Sequence, residues 1–177
     1  IRTAFKQGRP VLLGATTVDE AKMLREELQH EFPKLEILTG EDVSREKEII
    51  GKAGQPDSLT IVTQVGGRGS DIEIQEEAVR QAGGLRVIGF GRNESRRVDR
   101  QFSGRGGRQG DKGSGVFILH RQSEIFRNPW SAIVLGILDR LEGYSLRPLK
   151  RMLVLLAVRV GHEASEANDE ASREQTH

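Results

Sequence analysis

Short apolar runs alternate with segments of helical periodicity through most of this sequence. The runs are Pro10–Gly14, Leu35–Leu38, Leu59–Thr63, Leu85–Gly89 and Gly115–Leu119. Runs that are apolar at nearly every position predict strands that are buried on both faces. Helices between such strands predict crossover connections, because parallel strands cannot be joined by a tight turn. The alternation therefore predicts an α/β fold in which helices cover both faces of a parallel sheet.

The segments between the runs carry helix signals. Thr17 is expected to cap the first helix, with Glu20 three residues later. Further helices are predicted over Ser44–Ala53, over Glu76–Ala82, and over Glu94–Phe102 with Asn93 as its cap. Beyond His120 the pattern changes, and we expect a C-terminal extension with helices at Ser131–Leu141 and Leu146–Val160.

Length and composition limit the class of protein. The chain has 177 residues, which allows one well-buried domain with an appendage. No apolar run approaches the roughly 18 residues of a membrane-spanning helix, so no transmembrane segment is predicted. Cysteine is absent, which excludes disulfides and thiolate metal sites and fits a reducing compartment. Because the sequence begins at Ile1, we interpret it as a piece of a longer protein.

Three parts are expected along the chain. Residues 1–126 are predicted to form the α/β domain, and residues 127–161 the helical extension. Residues 162–177 carry five acidic side chains against Arg173 and no aliphatic side chain larger than alanine. Such a composition cannot bury much apolar surface, so this tail is expected to be disordered or loosely helical.

Positive charge is concentrated in one stretch. Residues 86–112 hold eight basic and three acidic side chains, a net charge of +5, whereas the whole chain has a net charge of +1. A local excess of this kind indicates a site for an anion rather than a protein that coats nucleic acid over its whole surface.

The centre of that stretch is Gln101-x-x-Gly104-Arg105-x-Gly107-Arg108. Two guanidinium groups three residues apart at the end of a helix can reach one bound phosphate. A second glycine-rich segment, Arg68-Gly69-Ser70-Asp71, follows the run Leu59–Thr63, and Asp71 has a carboxylate that can accept from a ribose hydroxyl. We expect the two segments at adjacent strand ends, where open parallel sheets bind ligands. A surface turn, or an RNA-binding patch rich in arginine and glycine, is the alternative interpretation.

Other nucleotide and metal motifs are missing. The sequence has neither Gly-x-Gly-x-x-Gly at the start of a helix nor Gly-x-x-x-x-Gly-Lys-Ser/Thr, so the triphosphate cradle is not in this piece. The four histidines show no ligand spacing, and we expect them to be ordinary surface or core residues. Asn168-Asp169-Glu170-Ala171 follows no apolar strand that would hold its carboxylates against a magnesium ion. No metal site is therefore predicted.

Both glycine-rich segments resemble known motifs. The segment 101–108 resembles motif VI of superfamily 2 helicases, and Gly67-Arg68-Gly69-Ser70-Asp71 resembles their motif V. A longer part of the sequence resembles the SecA preprotein translocase ATPases. It contains GGLRVIG, Glu94-Ser95-Arg96-Arg97 and Arg105-Gly-Gly-Arg108-Gln109-Gly110-Asp111. The resemblance covers about residues 8 to 126. Asn93 and Phe102-Ser103 depart from the family pattern, which favours a SecA-like relative.

The resemblance implies a RecA-like domain, the second of two that clamp ATP and Mg²⁺ between them. By motif match, Arg105 and Arg108 take the arginine-finger positions. Arg68, Gly69, Asp71 and Gln101 take the positions of nucleotide contacts. The Walker A and B motifs would lie in a first nucleotide-binding domain, so the chain alone is expected to hydrolyse nothing.

The resemblance also implies partners and a location. The domain would work with the first nucleotide-binding domain of its parent chain, which moves unfolded preprotein through a membrane channel. The parent would be cytoplasmic and attached to the inner face of the membrane, with no nucleic-acid partner. Two alternatives stay open: a superfamily 2 nucleic-acid helicase or translocase, and a non-hydrolysing interaction module of the same fold. The other arginines, Arg92, Arg96, Arg97 and Arg100, are expected to pair with acids such as Glu94 and Asp99 or with the missing domain.

Overall fold

Five parallel strands form the centre of the molecule. The structure is a computed structural model, and it describes residues 1–40, 44–63, 71–93, 95–120, 123–141, 143 and 145–174. The strands are Val11–Ala15 (β1), Glu36–Leu38 (β2), Leu59–Thr63 (β3), Leu85–Phe90 (β4) and Gly113–Ile118 (β5). Each neighbouring pair is parallel, and the order across the sheet is β2-β3-β1-β4-β5. The predicted parallel sheet is therefore confirmed.

The strand order corrects one expectation. The two glycine-rich segments were expected at adjacent strand ends, after β3 and β4. However, β1 pairs with both of these strands and lies between them. Consecutive strands need not be neighbours when the crossover connections are long, so position along the chain was a poor guide to this pair.

Helices connect the strands. They are Arg2–Lys6 (α1), Val18–Leu28 (α2), Glu46–Ala53 (α3), Glu77–Gln81 (α4) and Arg96–Ser103 (α5), and α5 is followed by the 3-10 helix Gly104–Gly110. Thr17 caps α2 as predicted, because its hydroxyl accepts a hydrogen bond from the backbone N–H of Glu20 at 3.1 Å. The Glu20 carboxylate in turn accepts from the backbone N–H of Thr16 at 2.6 Å.

Helices cover both faces of the sheet. On one face, Ala21 and Leu24 of α2 pack with Leu13 and Ile61 of the strands. On the other face, Ile49 and Ile50 of α3 and Val79 of α4 pack with Leu12 and Val62, strand residues that point the opposite way. Alternate residues of β1 and β3 thus enter different cores, which is why these strands are largely apolar. The strand β5, predicted as a buried run, is instead mostly exposed.

The chain divides into two compact units. The first contains Ile1–Gly91 and Arg100–Ile118, and the second contains Arg92–Asp99 and the described residues from Leu119 onward. In the second unit, Pro129–Arg140 (α6) begins after Asn128, whose side-chain oxygen accepts from the Ser131 N–H at 2.9 Å. The helix Arg147–Glu174 (α7) packs its Ala157 and Val158 with Ile125 and Phe126.

The end of the chain differs from the sequence-based expectation. Residues 162–177 were predicted as a disordered or loosely helical tail, whereas α7 continues as one helix to Glu174. Gly161 lies within this helix. A Cβ at that position would lie 2.4 Å from the carbonyl oxygen of Ile125, so the helix backbone packs directly against Ile125. Close backbone packing thus replaces a side chain there. Among the described residues, no helix combines the length and the apolar composition that crossing a bilayer requires.

Candidate functional site

The arginine-bearing 3-10 helix, Gly104–Gly110, lies at the amino edge of the sheet. A Cβ added to Gly106 would be 2.9 Å from Cγ2 of Val87, 3.4 Å from the carbonyl oxygen of Leu85 and 3.6 Å from the backbone nitrogen of Ser114. These atoms belong to the first residues of β4 and β5. The expected position at a carboxyl end is therefore wrong. The reason is that the crossover from β4 returns the chain to the amino edge before β5 begins.

Two glycines fix the 3-10 helix to the sheet. A Cβ built on Gly113, the first residue of β5, would lie 0.8 Å from the carbonyl oxygen of Gly106 and 2.8 Å from its Cα. No side chain fits in that space, so the backbones of Gly106 and Gly113 are in direct contact. This contact sets how far the segment bearing Arg105 and Arg108 lies from the strand ends.

Arg108 and Asp71 form an ion pair. The Nη1 group of Arg108 donates to Oδ1 of Asp71, and the two side chains are 40% and 41% exposed. The pair joins two segments that the sequence had connected only as contacts to one bound nucleotide. Gln101 lies exposed on α5. The predicted contacts Arg68 and Gly69 lie outside the described residues.

Arg105 is half-buried beside a second positive charge. Its Nη1 atom is buried without a hydrogen-bond partner among the described residues. Burial lowers the pKa of Arg105, the charge of Arg108 lowers it further, and the carboxylate of Glu46 partly offsets both effects. Arginine stays protonated in proteins, so the site holds a partly desolvated cation with an unused donor. Such a group favours an anionic partner.

Two further arginines brace the same edge of the sheet. Arg9 donates from Nε to the carbonyl oxygen of Gly84 at 2.9 Å, and from Nη2 to that of Gly83 at 2.9 Å and to Oγ of Ser114 at 2.6 Å. Burial, followed by the charge of Arg86, lowers the pKa of Arg9. These bonds tie the start of β4 to the start of β5.

Arg80 bonds to Asp111, the residue that ends the 3-10 helix. Its Nε lies 2.9 Å from Oδ1 of Asp111, and its Nη2 donates to the carbonyl oxygen of Ile74. Sequence reasoning missed both Arg9 and Arg80. The partners of Arg9, and the partner Asp111 of Arg80, are distant in sequence, and no local pattern in the sequence marks such contacts.

A buried polar cluster lies in the second unit, at the start of α5. Asp99 accepts at Oδ1 from the backbone N–H of Asn93 at 3.0 Å and from its side-chain amide at 2.8 Å. Oδ2 of Asp99 lies 3.1 Å from Nη1 of Arg92 and 3.4 Å from Nε2 of His162. The expected pairing of Arg92 with Asp99 is confirmed. The predicted cap at Asn93 is wrong, because α5 starts at Arg96 and Asn93 binds Asp99 instead.

His162 is a core residue, one of the two environments expected for the histidines. It is buried, and its Nε2 also lies 3.2 Å from the carbonyl oxygen of Asn93. Burial by itself raises the pKa of Asp99. The hydrogen bonds from His162 and Asn93 and the charge of Arg92 outweigh it, so the pKa lies below its usual value.

This cluster predicts a pH-dependent stability. A carboxyl group whose pKa is lower in the folded state stabilises the fold above its unfolded pKa of about 3.9, and the effect is lost as the pH falls through the folded value. Replacing Asp99 by asparagine is expected to cost about 3 kcal/mol at pH 7, because it removes a buried charge that Arg92 and the amide groups of Asn93 are arranged around. Urea unfolding measured from pH 7 down to about pH 2 should show this difference shrinking.

The matched control is Glu163→Gln. Glu163 is an exposed carboxylate of the same unit that pairs with Arg159 at 2.9 Å and Arg96 at 3.4 Å. Solvent screens such pairs, so the change should leave the free energy of unfolding nearly unchanged. An Asp99→Asn penalty that stays constant over the whole pH range would contradict the charge-based account.

An open cavity of about 450 Å³ lies elsewhere in the first unit. Its apolar lining includes Phe5, Phe32, Leu35 and Leu59. None of the predicted site residues lines it, so it is separate from the arginine segment. Within the described part of the chain, no group of three or more histidine, aspartate or glutamate side chains is placed to hold a metal ion.

Comparison with protein families gives a match over most of the chain. A family model described as the SecA P-loop domain matches residues 1–78 and 73–144. The protein translocase subunit SecA of Phocaeicola vulgatus is 43% identical over 141 residues, which cover 80% of this chain and 13% of that protein. The subunit of the same name from Chlorobium phaeovibrioides is 43% identical over 136 residues, which cover 77% and 13%. The chain thus matches about an eighth of the length of these relatives.

Comparison with solved structures supports the fold. Domain 2 of the DEAD-box helicase Mss116p, solved bound to an RNA duplex, superposes with a TM-score of 0.54. The match covers 91% of this chain and 67% of that one at 16% sequence identity. Together with the strand order, it identifies the first unit's sheet and helices as a RecA-like fold, as the resemblance implied.

Proposed function

Because the chain belongs to the SecA P-loop domain family, we propose that it is the second RecA-like half of an ATP-driven protein translocation motor. In this proposal, Arg105 and Arg108 act as arginine fingers toward an ATP molecule held mainly by a first nucleotide-binding domain. Motif match adds Arg68, Gly69, Asp71 and Gln101 as nucleotide contacts, with Arg68 and Gly69 outside the described residues. The chain alone then lacks the phosphate cradle and is inactive.

The observation that best supports the proposal is the pair of adjacent positive charges on Arg105 and Arg108. Arg105 has a buried Nη1 without a partner among the described residues, and Arg108 is an exposed guanidinium close enough to lower its pKa. Two adjacent cations suit the three equatorial oxygens of a transferred phosphoryl group, on which charge is spread in the transition state. A purely structural role would instead satisfy the donors of Arg105 within the domain.

In this proposal, ATP and Mg²⁺ are bound between this domain and the first nucleotide-binding domain. ATP would supply the γ-phosphoryl group, whose oxygens the guanidinium groups of Arg105 and Arg108 can bind through charge-assisted hydrogen bonds. No carboxylate cluster suited to Mg²⁺ is present among the described residues, so the metal is assigned to the first domain. The contribution of this chain is charge neutralisation and positioning.

The partners follow from the same proposal. The first nucleotide-binding domain of the parent chain completes the ATP site, and the parent acts on unfolded preprotein at a membrane channel. This assigns the parent to the cytoplasm, attached peripherally to the inner face of the membrane. The small net charge of the chain, +1, agrees with a protein substrate better than with a polyanion.

A nucleic-acid translocase is the second candidate, because the fold is similar to a helicase domain that was solved with RNA. Single-stranded nucleic acid is commonly held by aromatic side chains on which the bases stack. Phe102, the aromatic residue nearest the arginine segment, packs against Gly14 and lies 6.4 Å from the ring of Phe117. The ring of Phe102 thus packs in the interior rather than stacking on a base, which favours protein over nucleic acid as the substrate.

The substrate class is tested with the parent protein. We expect its ATPase rate to rise with unfolded preprotein and channel-containing vesicles, and to stay at the basal rate with single-stranded RNA or DNA. Folded protein of the same sequence serves as the control for the preprotein. Stimulation by nucleic acid without any response to preprotein would overturn the proposal.

A further inference from the structure

We propose that Asp71 is a positioning residue for Arg108: its carboxylate holds one nitrogen of the guanidinium and leaves the others for phosphate. The inference rests on the proposed function and deepens it. It goes beyond the nucleotide contact that motif match gives Asp71, because it assigns the residue an effect on catalysis that acts through Arg108.

The geometry of the pair supports positioning. Nη1 of Arg108 donates to Oδ1 of Asp71, so the contact occupies one of the three guanidinium nitrogens. A guanidinium has five N–H groups in a planar fork, so a contact at one nitrogen limits the directions in which the others can point. Within the described part of the chain, no second acceptor for Arg108 is present. The remaining donors are thus left for a ligand.

The exposure of the pair argues against a role in stability. Both side chains are about two-fifths exposed, and ion pairs in that environment contribute roughly 0–1 kcal/mol. The neighbouring pair of Arg80 and Asp111 differs in this respect. Asp111 is 22% exposed, and Arg80 is also anchored to the carbonyl oxygen of Ile74. Arg80, although 41% exposed like Arg108, thus has a backbone acceptor in addition to its carboxylate, whereas no backbone acceptor is found for Arg108 among the described residues.

Asp71 also counteracts the repulsion between the guanidinium groups of Arg105 and Arg108. The charge of Arg108 lowers the pKa of Arg105, which shows that the two cations act on each other. Without an anion nearby, an exposed arginine would move away from a half-buried one. The carboxylate of Asp71 opposes this movement and keeps Arg108 next to Arg105 before a phosphate arrives.

The test uses the parent protein with Asp71→Asn. The matched control is Glu31→Gln, because Glu31 is likewise 41% exposed and paired with an arginine, Arg2, away from the arginine segment. Asparagine keeps the size of the side chain but removes its charge. We expect kcat for ATP hydrolysis to fall by about 10²-fold, the loss that accompanies a misplacement of about 1 Å, and any loss of the motif-match contact with nucleotide to appear in KM instead. Asp71→Glu should restore part of the rate. Glu31→Gln should keep the kcat of the unchanged protein, and thermal unfolding should show that both variants are folded.

A double-variant cycle separates this inference from the proposed function. If Asp71 acts through Arg108, adding Asp71→Asn to Arg108→Ala should lower kcat no further. An equal loss in both backgrounds, or an effect of Asp71→Asn on KM alone, would overturn the positioning role and leave the finger role of Arg108 intact. Full kcat in Arg108→Ala itself would overturn both.

Discussion

Replacing Arg108 by alanine in the parent protein is expected to lower kcat for ATP hydrolysis by about 10³-fold or more, with ATP binding largely retained. The side chain is exposed at the amino edge of the sheet, and its Nη1 is held by Asp71. It therefore contributes to phosphate neutralisation in the transition state rather than to the fold. Single-turnover hydrolysis and equilibrium ATP binding, measured on the same preparation, separate the two effects.

Arg105→Ala should give a loss of the same order, since its buried Nη1 is the unused donor of the site. The matched control is Arg100→Ala, which removes an exposed arginine from α5 one turn earlier. That change should leave kcat within a few-fold of the unchanged protein. Full turnover in both the Arg105 and Arg108 variants would show that neither residue is an arginine finger.

Gly113→Ala is expected to displace the whole arginine segment. The added methyl group would overlap the carbonyl oxygen of Gly106, 0.8 Å from the ideal Cβ position. Overpacking against rigid backbone should cost about 3 kcal/mol of unfolding free energy. It should also lower kcat by about 10²-fold, because Arg105 and Arg108 follow the movement of the 3-10 helix. Urea unfolding of the chain and ATPase assays of the parent give the two numbers.

Gly115→Ala is the control for that prediction. It lies two residues along the same strand, and its Cβ would meet the Cβ of Ser103 at 3.5 Å, an ordinary contact. We expect little change in stability or kcat. Equal behaviour of the two alanine variants would contradict the view that the contact between Gly106 and Gly113 positions the site.

The central strands β1, β3 and β4 were predictable because they are largely buried on both faces. Leu59–Thr63 is fully buried and was predicted with the bounds that the structure has. Gly113–Ile118 was predicted two residues late, since its first residues, a glycine and a serine, carry no apolar pattern. The length of α7 was missed for another reason. Charge suggested disorder, but the alanine and glutamate residues beyond Gly161 are good helix formers, with no proline among them.

The candidate site was predictable in its chemistry but not in its geometry. The spacing of Arg105 and Arg108 identified the residue types and the segment. The contact of Arg108 with Asp71 joins residues 37 positions apart, and that of His162 with Asn93 joins residues 69 apart. Such pairings depend on strand order and helix packing, which local periodicity does not encode. The amino-edge position of the segment was missed for the same reason.

The most direct test of the central claim is a structure of the parent protein with ADP, Mg²⁺ and a planar analogue of the γ-phosphoryl group. We predict that guanidinium nitrogens of both Arg105 and Arg108 lie about 3 Å from oxygen or fluorine atoms of that analogue. A structure in which the analogue is bound and both guanidinium groups are turned away from it would contradict the account.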